Sequence, residues 1–95
     1  MTAQIRMRYE LDDYDAWRQV FDRDPLDRKG SGVRSYRISR DVENDSAVLV
    51  DLDFGSVDEA AAFHARLRAL LADPSVPKMA RAETTLAETT ESAEL

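Results

Sequence analysis

The chain has 95 residues, of which 43% are hydrophobic and 34% charged, a balance that fits one soluble globular domain and excludes a disordered or membrane-embedded chain. Thirteen basic against nineteen acidic residues give a net charge of -6, the wrong sign for general nucleic-acid binding. Cysteine is absent and His64 is the single histidine, which removes disulfides, thiol nucleophiles, cysteine-ligated metals and two-histidine metal sites together.

In chain order, Ile5, Met7 and Tyr9 alternate with Arg6, Arg8 and Glu10, predicting a half-buried strand that Leu11 closes. Asp12 and Asp13 follow as candidate helix N-caps. Tyr14, Trp17 and Phe21 recur at helical spacing, with Asp15 in the first turn where the helix dipole favours an acid. Asp24-Pro25 interrupts that helix, because the residue before proline avoids the α region. Leu26–Lys29 is expected to add a final turn, with Gly30-Ser31-Gly32 ending it. A second strand spans about Val33–Arg40, with Tyr36 and Ile38 on one side and Ser35, Arg37 and Ser39 on the other. The polar run Asp41–Ser46 reads as a hairpin connection. Ala47–Phe54 is the third strand, Val48, Val50, Leu52 and Phe54 facing one way and Leu49, Asp51 and Asp53 the other. Ser56-Val57-Asp58-Glu59 is a capping box, in which the Glu59 side chain is expected to reach back to the cap. The helix after it carries Ala60, Phe63, Leu67, Leu70 and Leu71 as its apolar stripe and stops at Asp73-Pro74. An irregular connector, Pro74–Met79, leads to a last strand at about Ala80–Glu88. Residues 1–88 are therefore expected to form one domain and 89–95 a frayed tail.

The order β-α-β-β-α-β is the ferredoxin-like pattern of an α+β domain. It predicts an antiparallel four-stranded sheet with both helices on one face and the first and third strands central. The opposite face then carries Arg6, Arg8, Ser35, Arg37, Leu49, Asp51 and Asp53, with Arg6 and Arg8 placed to pair across strands with Asp51 and Asp53. A sheet apolar on its helix side and charged on its back suggests a second copy covering the back, since charges enclosed without pairing or ordered water cost several kcal/mol. The expected partner is therefore the chain itself, as a homodimer.

Several stretches make a more specific signal. Asp13-Tyr14-Asp15-Ala16-Trp17 followed by Phe21, then Gly32–Ile38, Arg40-Asp41, an acidic turn, a Val/Leu strand and Glu59-Ala60-Ala61-Ala62-Phe63 resemble small bacterial proteins of the dimeric α+β barrel superfamily. The likeness runs from about Ile5 to Leu71. It implies two ferredoxin-like sheets packed face to face, with the helices outside. It also implies a role among cofactor-independent antibiotic-biosynthesis monooxygenases, polyketide cyclases, haem-degrading enzymes, stress-response proteins or members without assigned activity. Haem degradation fits poorly, because the only asparagine, Asn44, falls in the hairpin rather than beside the helix histidine. Pro74 and Pro77 stand where such relatives carry a further short helix that helps close the cavity.

Each candidate residue has two readings. His64 has the intrinsic pKa of a catalytic base but no obvious partner, and helix-flank histidines are more commonly surface or interface residues. Trp17 and Phe21 can line a cavity for an aromatic ligand, although helical spacing places such rings in the core. Tyr9 and Tyr36 are hydroxyl donors to a phenolic substrate or, as buried tyrosines commonly are, to another protein group. Arg6, Arg8 and Arg37 can bind an acidic ligand inside a barrel or pair with Asp51 and Asp53. Those two acids lack a third ligand for a metal. No glycine-rich phosphate loop, aromatic pair on a basic sheet face, signal peptide or apolar run near the roughly 18 residues of a membrane span is present, so the expectation is a cytoplasmic protein without nucleic-acid or membrane partners. Metal and cofactor are both expected to be none. Two functions stay open: a small-molecule enzyme or binder taking an aromatic or polyketide-like compound, cofactor-free and monooxygenase-like or cyclase-like, and a non-catalytic dimeric interaction or stress-response module.

Overall fold

Strict alternation builds the centre of the sheet. In β1 (Ala3–Leu11) the residues Ala3, Ile5, Met7, Tyr9 and Leu11 are buried, while Gln4, Arg6, Arg8 and Glu10 face the other way. The computed structural model describes residues 2–77 and 79–95; Met1 and Lys78, the latter within the expected connector, lie outside the described residues. The remaining elements are α1 (Tyr14–Arg23), β2 (Val33–Arg40), β3 (Ala47–Phe54), α2 (Val57–Leu71) and β4 (Met79–Glu88). The strands form one antiparallel sheet in the order β2-β3-β1-β4, so the first and third are central as their residue patterns predict. Trp17 of α1 and Phe63 of α2 join one core with Ile5, Val48, Val50, Leu52 and Phe54. Burying each such side chain contributes about 1.5–3 kcal/mol.

Local chemistry sets where the helices begin. Asp13 is the N-cap of α1, its carboxylate accepting from the Ala16 N–H at 3.1 Å. Ser56 caps α2 by accepting from the Glu59 N–H at 3.2 Å. The Glu59 side chain reaches back to the cap as expected, its carboxylate accepting from the Ser56 hydroxyl at 3.1 Å. Ser56→Ala is expected to cost about 1 kcal/mol, read as a lower urea midpoint with an unchanged slope.

The end of α1 departs from the expected one. The helix stops at Arg23, and Asp24 takes the left-handed conformation with φ 54°, so the termination does not wait for Gly30–Gly32. Aspartate tolerates this region, and Pro25 has no N–H with which to continue the ladder. Leu26–Lys29 is accordingly a series of turns and no final helical turn: the Asp27 N–H bonds the Asp24 carbonyl at 3.0 Å and the Ser31 N–H bonds the Asp27 carbonyl at 2.8 Å. Gly32 does matter as a glycine, since its φ of 99° disfavours any side chain. At the other end of the chain β4 begins at Met79, one residue before its expected start, and pairing reaches the expected tail, where the Thr89 N–H donates to the Thr2 carbonyl at 3.0 Å. Residues 90–95 are exposed and form neither helix nor strand.

Candidate functional site

The two faces of the sheet offer different chemistry. Between the helices and the sheet lies a cleft of about 80 Å³. Met7, Tyr9, Val50 and Leu52 form its floor, Trp17, Val20 and Phe21 one wall, and Phe63, Leu67, Leu70 and Leu71 the other. Val76 and Pro77 of the proline-containing connector help complete it. Trp17 is only 7% exposed, with ring centroids 6.1 Å from Tyr9, 5.9 Å from Tyr14 and 5.3 Å from Phe21. It is thus both core and cleft wall, and the two readings of this residue coincide.

Tyr9 shares the cleft, but its hydroxyl is engaged with the Met7 Sδ at 2.9 Å. Burial pushes the phenol well above its usual range, so it remains protonated. Tyr36 sits on β2 opposite Leu52, on the helix side, yet is 49% exposed because β2 is an edge strand. Its ring meets Phe21 edge-on at 5.3 Å, outside the cleft proper.

His64 overturns an expectation. It is buried, not a surface residue, and its Nε2 lies 2.8 Å from the Thr84 hydroxyl of β4. The sequence showed no partner because Thr84 is twenty residues away. Desolvation first, and then the Arg68 guanidinium one turn on, hold its pKa below the ordinary histidine value. Below a pH of about 6.5 the unfolded histidine takes up a proton that the folded one still refuses, so stability falls with falling pH in that window. The melting temperature is expected to drop between about pH 7 and pH 5.5 and to flatten there in His64→Gln. An identical slope in the variant would assign the dependence to another group. His64 does not line the cleft, so Tyr9 and His64 are not one constellation.

The back of the sheet gathers the charged candidates. Arg6 stands directly opposite Asp51, its Nε 3.2 Å from Oδ1, as expected. Arg8 does not meet Asp53: it faces Leu49 and pairs with Asp41 of the hairpin at 2.9 Å. Asp53 lies opposite Gln4 and accepts from the Ser35 hydroxyl at 2.9 Å. Arg37 is the β2 neighbour of Asp51. Such exposed pairs stabilise a free protomer little, typically by 1 kcal/mol or less, roughly. Two shallow grooves of about 370 and 390 Å³ cross this face, lined by Arg6, Arg37 and Asp51 in both cases. Among the described residues no three histidine, aspartate or glutamate side chains gather as metal ligands do, and no helix is long and apolar enough to cross a membrane.

Sequence reasoning missed Asp24 and Arg28, the charged residues on the cleft wall. Arg28 donates through Nη1 to the Phe21 carbonyl at 2.7 Å, and its guanidinium lies 3.8 Å from the Phe21 ring centre and 5.2 Å from that of Tyr36. The signal was the Asp24-Pro25 break itself, which folds the chain back over the last aromatic of α1.

No protein-family model matches the sequence, and no curated protein is significantly similar to it. Solved structures do match over nearly the whole chain. The Rv0793 protein of Mycobacterium tuberculosis superposes with a TM-score of 0.72 at 14% identity, over 99% of this chain and 100% of that one. A dimeric ferredoxin-like protein from an uncultured marine organism gives 0.69 at 9% identity, over 97% and 98% of the two chains. An antibiotic biosynthesis monooxygenase-like protein from Nitrosomonas europaea gives 0.57 at 12% identity, over 94% and 90%. At such identities the likeness defines the fold, which is the ferredoxin-like one that antibiotic biosynthesis monooxygenase-like and NIPSNAP-family structures share. The resemblance read in the sequence is borne out at that level.

Proposed function

We propose that the protein is a homodimeric barrel that binds a small aromatic or polyketide-type compound, one ring of which enters the cleft between α1, α2 and the sheet. The observation that carries this is the cleft wall: aromatic and aliphatic side chains throughout, with charge only at Asp24 and Arg28. Its volume is about half of the ~150 Å³ in which benzene is held inside an engineered apolar cavity, so a ring enters as the walls part and the rest of the ligand projects from the mouth. A second copy covers the back of the sheet, where Arg6, Arg8, Arg37, Asp51 and Asp53 come to line the barrel interior.

In its catalytic form this reading is a monooxygenase-like or cyclase-like enzyme that needs no cofactor, with Trp17 orienting the ring and Tyr9 the proton-handling candidate that lines the cleft, Tyr36 and His64 standing outside it. One observation favours the alternative, a non-catalytic dimeric interaction or stress-response module: the Tyr9 hydroxyl in the cleft is engaged with Met7, and His64, outside the cleft, is engaged with Thr84. Binding and catalysis separate experimentally. Titration with 1-naphthol is expected to shift the single tryptophan indole resonance, that of Trp17, saturably; no shift at millimolar ligand contradicts the binding reading. Oxygen uptake or ring closure with bound ligand marks the enzyme, and saturable binding without turnover marks the module.

A further inference from the structure

We propose that Arg28 is an anion-recognition residue at the mouth of the cleft, and that the ligand is an aromatic molecule bearing an acidic head, a carboxylate or a phenolate. This rests on the cleft reading above and adds to it the chemical class of the ligand. The guanidinium is held in place from three sides. Its face lies on the Phe21 ring at 3.8 Å, Nη1 donates to the Phe21 carbonyl at 2.7 Å, and Nη1 lies 3.3 Å from the Asp24 carboxylate. All of these polar contacts use one nitrogen. Among the described residues Nε and Nη2 make no hydrogen bond, although the side chain is only 18% exposed. Neither nitrogen is sealed off, because no fully buried side-chain nitrogen lacks a partner. The Nε/Nη2 edge of an arginine presents two parallel donors, the geometry that grips a carboxylate in bidentate fashion.

The surroundings support an anion rather than a neutral polar group. Asp24 is committed elsewhere as well as to Arg28, since its Oδ1 accepts the Arg28 backbone N–H at 3.0 Å and so holds the turn. A second cation, Arg66 of α2, donates to the Leu26 carbonyl at 2.6 Å and to the Ser31 hydroxyl at 3.1 Å, bracing the same turn. Arg28 is thus the cation on the lining of an otherwise apolar cleft, with Asp24 already engaged in the turn that Arg66 braces from outside. An aromatic ring inside and an acid at the rim satisfy both parts at once, and the stacked guanidinium is pre-organised, so less side-chain entropy is lost on binding.

The test compares two ligands of one shape, benzoate and benzyl alcohol, by the shift of the Trp17 indole resonance in the full chain. Benzoate is expected to bind at least about tenfold more tightly, the scale of a charge-assisted bidentate contact. Arg28→Met is expected to erase that preference while benzyl alcohol still binds. Arg28→Lys, which keeps the charge and loses the fork, should retain only a small part of it, and serves if the methionine variant fails to fold. Equal binding of the two ligands by the wild type, an undiminished preference in either variant, or benzoate shifts confined to the Arg6 and Arg37 amides would each overturn the assignment while leaving the cleft reading intact. Failure of both ligands to move Trp17 would remove the cleft reading itself, and this inference with it.

Discussion

Trp17→Ala is expected to cost about 3–5 kcal/mol of stability, the range for emptying a buried tryptophan site. The indole is almost wholly buried and meets three aromatic rings within about 6 Å, so removing it strips contacts from Tyr9, Tyr14 and Phe21 at once. A domain of this size commonly has only about 5–15 kcal/mol in total. At roughly 4–8 °C per kcal/mol, the melting temperature should fall by at least about 12 °C. Thermal unfolding followed by circular dichroism measures it. A loss below about 1 kcal/mol would show a dispensable ring on a cleft wall rather than a joint between α1 and β1. Trp17→Phe should recover most of the loss, because a smaller ring still bridges the same neighbours.

Leu49→Lys is expected to weaken self-association by roughly tenfold or more, with the protomer still folded. Leu49 is the large apolar side chain among the back-facing residues of the two central strands, opposite Arg8 and in the groove with Arg6, Arg37 and Ser39. In a two-fold dimer it counts twice, and with at most about a third of the side chain left to bury, the loss is about 0.5–1 kcal/mol per copy or about 1–2 kcal/mol in all, roughly a decade in the dissociation constant. The new ammonium also adds a fourth cation beside Arg6, Arg8 and Arg37. Because Leu49 lies on the sheet face away from the core cluster and is only partly buried in the single protomer, the fold itself should lose little. A dissociation constant changed less than threefold would mean that copies meet through some other surface.

What could be read from the residues and what could not divides along sequence distance. The alternation of Ile5 and Met7 with Arg6 and Arg8, and of Val48, Val50, Leu52 and Phe54 with Leu49, Asp51 and Asp53, specifies strands, faces and the central pair, because each signal is repeated every second residue. The Ser56 cap is equally local. The end of α1 was misplaced since two devices competed: glycines that welcome positive φ, and an earlier aspartate before proline that also tolerates it. The partners of charged and polar side chains were the least legible. Arg8 turns to Asp41 rather than Asp53, and His64 finds Thr84, because register and crossing decide which side chains meet, and neither is written in a neighbouring residue. Arg28 was invisible for the same reason, its role depending on a turn that carries it back onto Phe21.

The charged back of the sheet is the premise on which the proposed barrel and its interior depend. Arg6, Arg37 and Asp53 face outward on a surface that a lone protomer leaves to water, and in the proposed dimer an isologous partner would pair or hydrate them in an enclosed space. Sedimentation equilibrium of the unmodified chain at micromolar concentration tests this most directly. A back face closed by a second copy predicts a single species of twice 10.7 kDa. A species of 10.7 kDa across that range would contradict it.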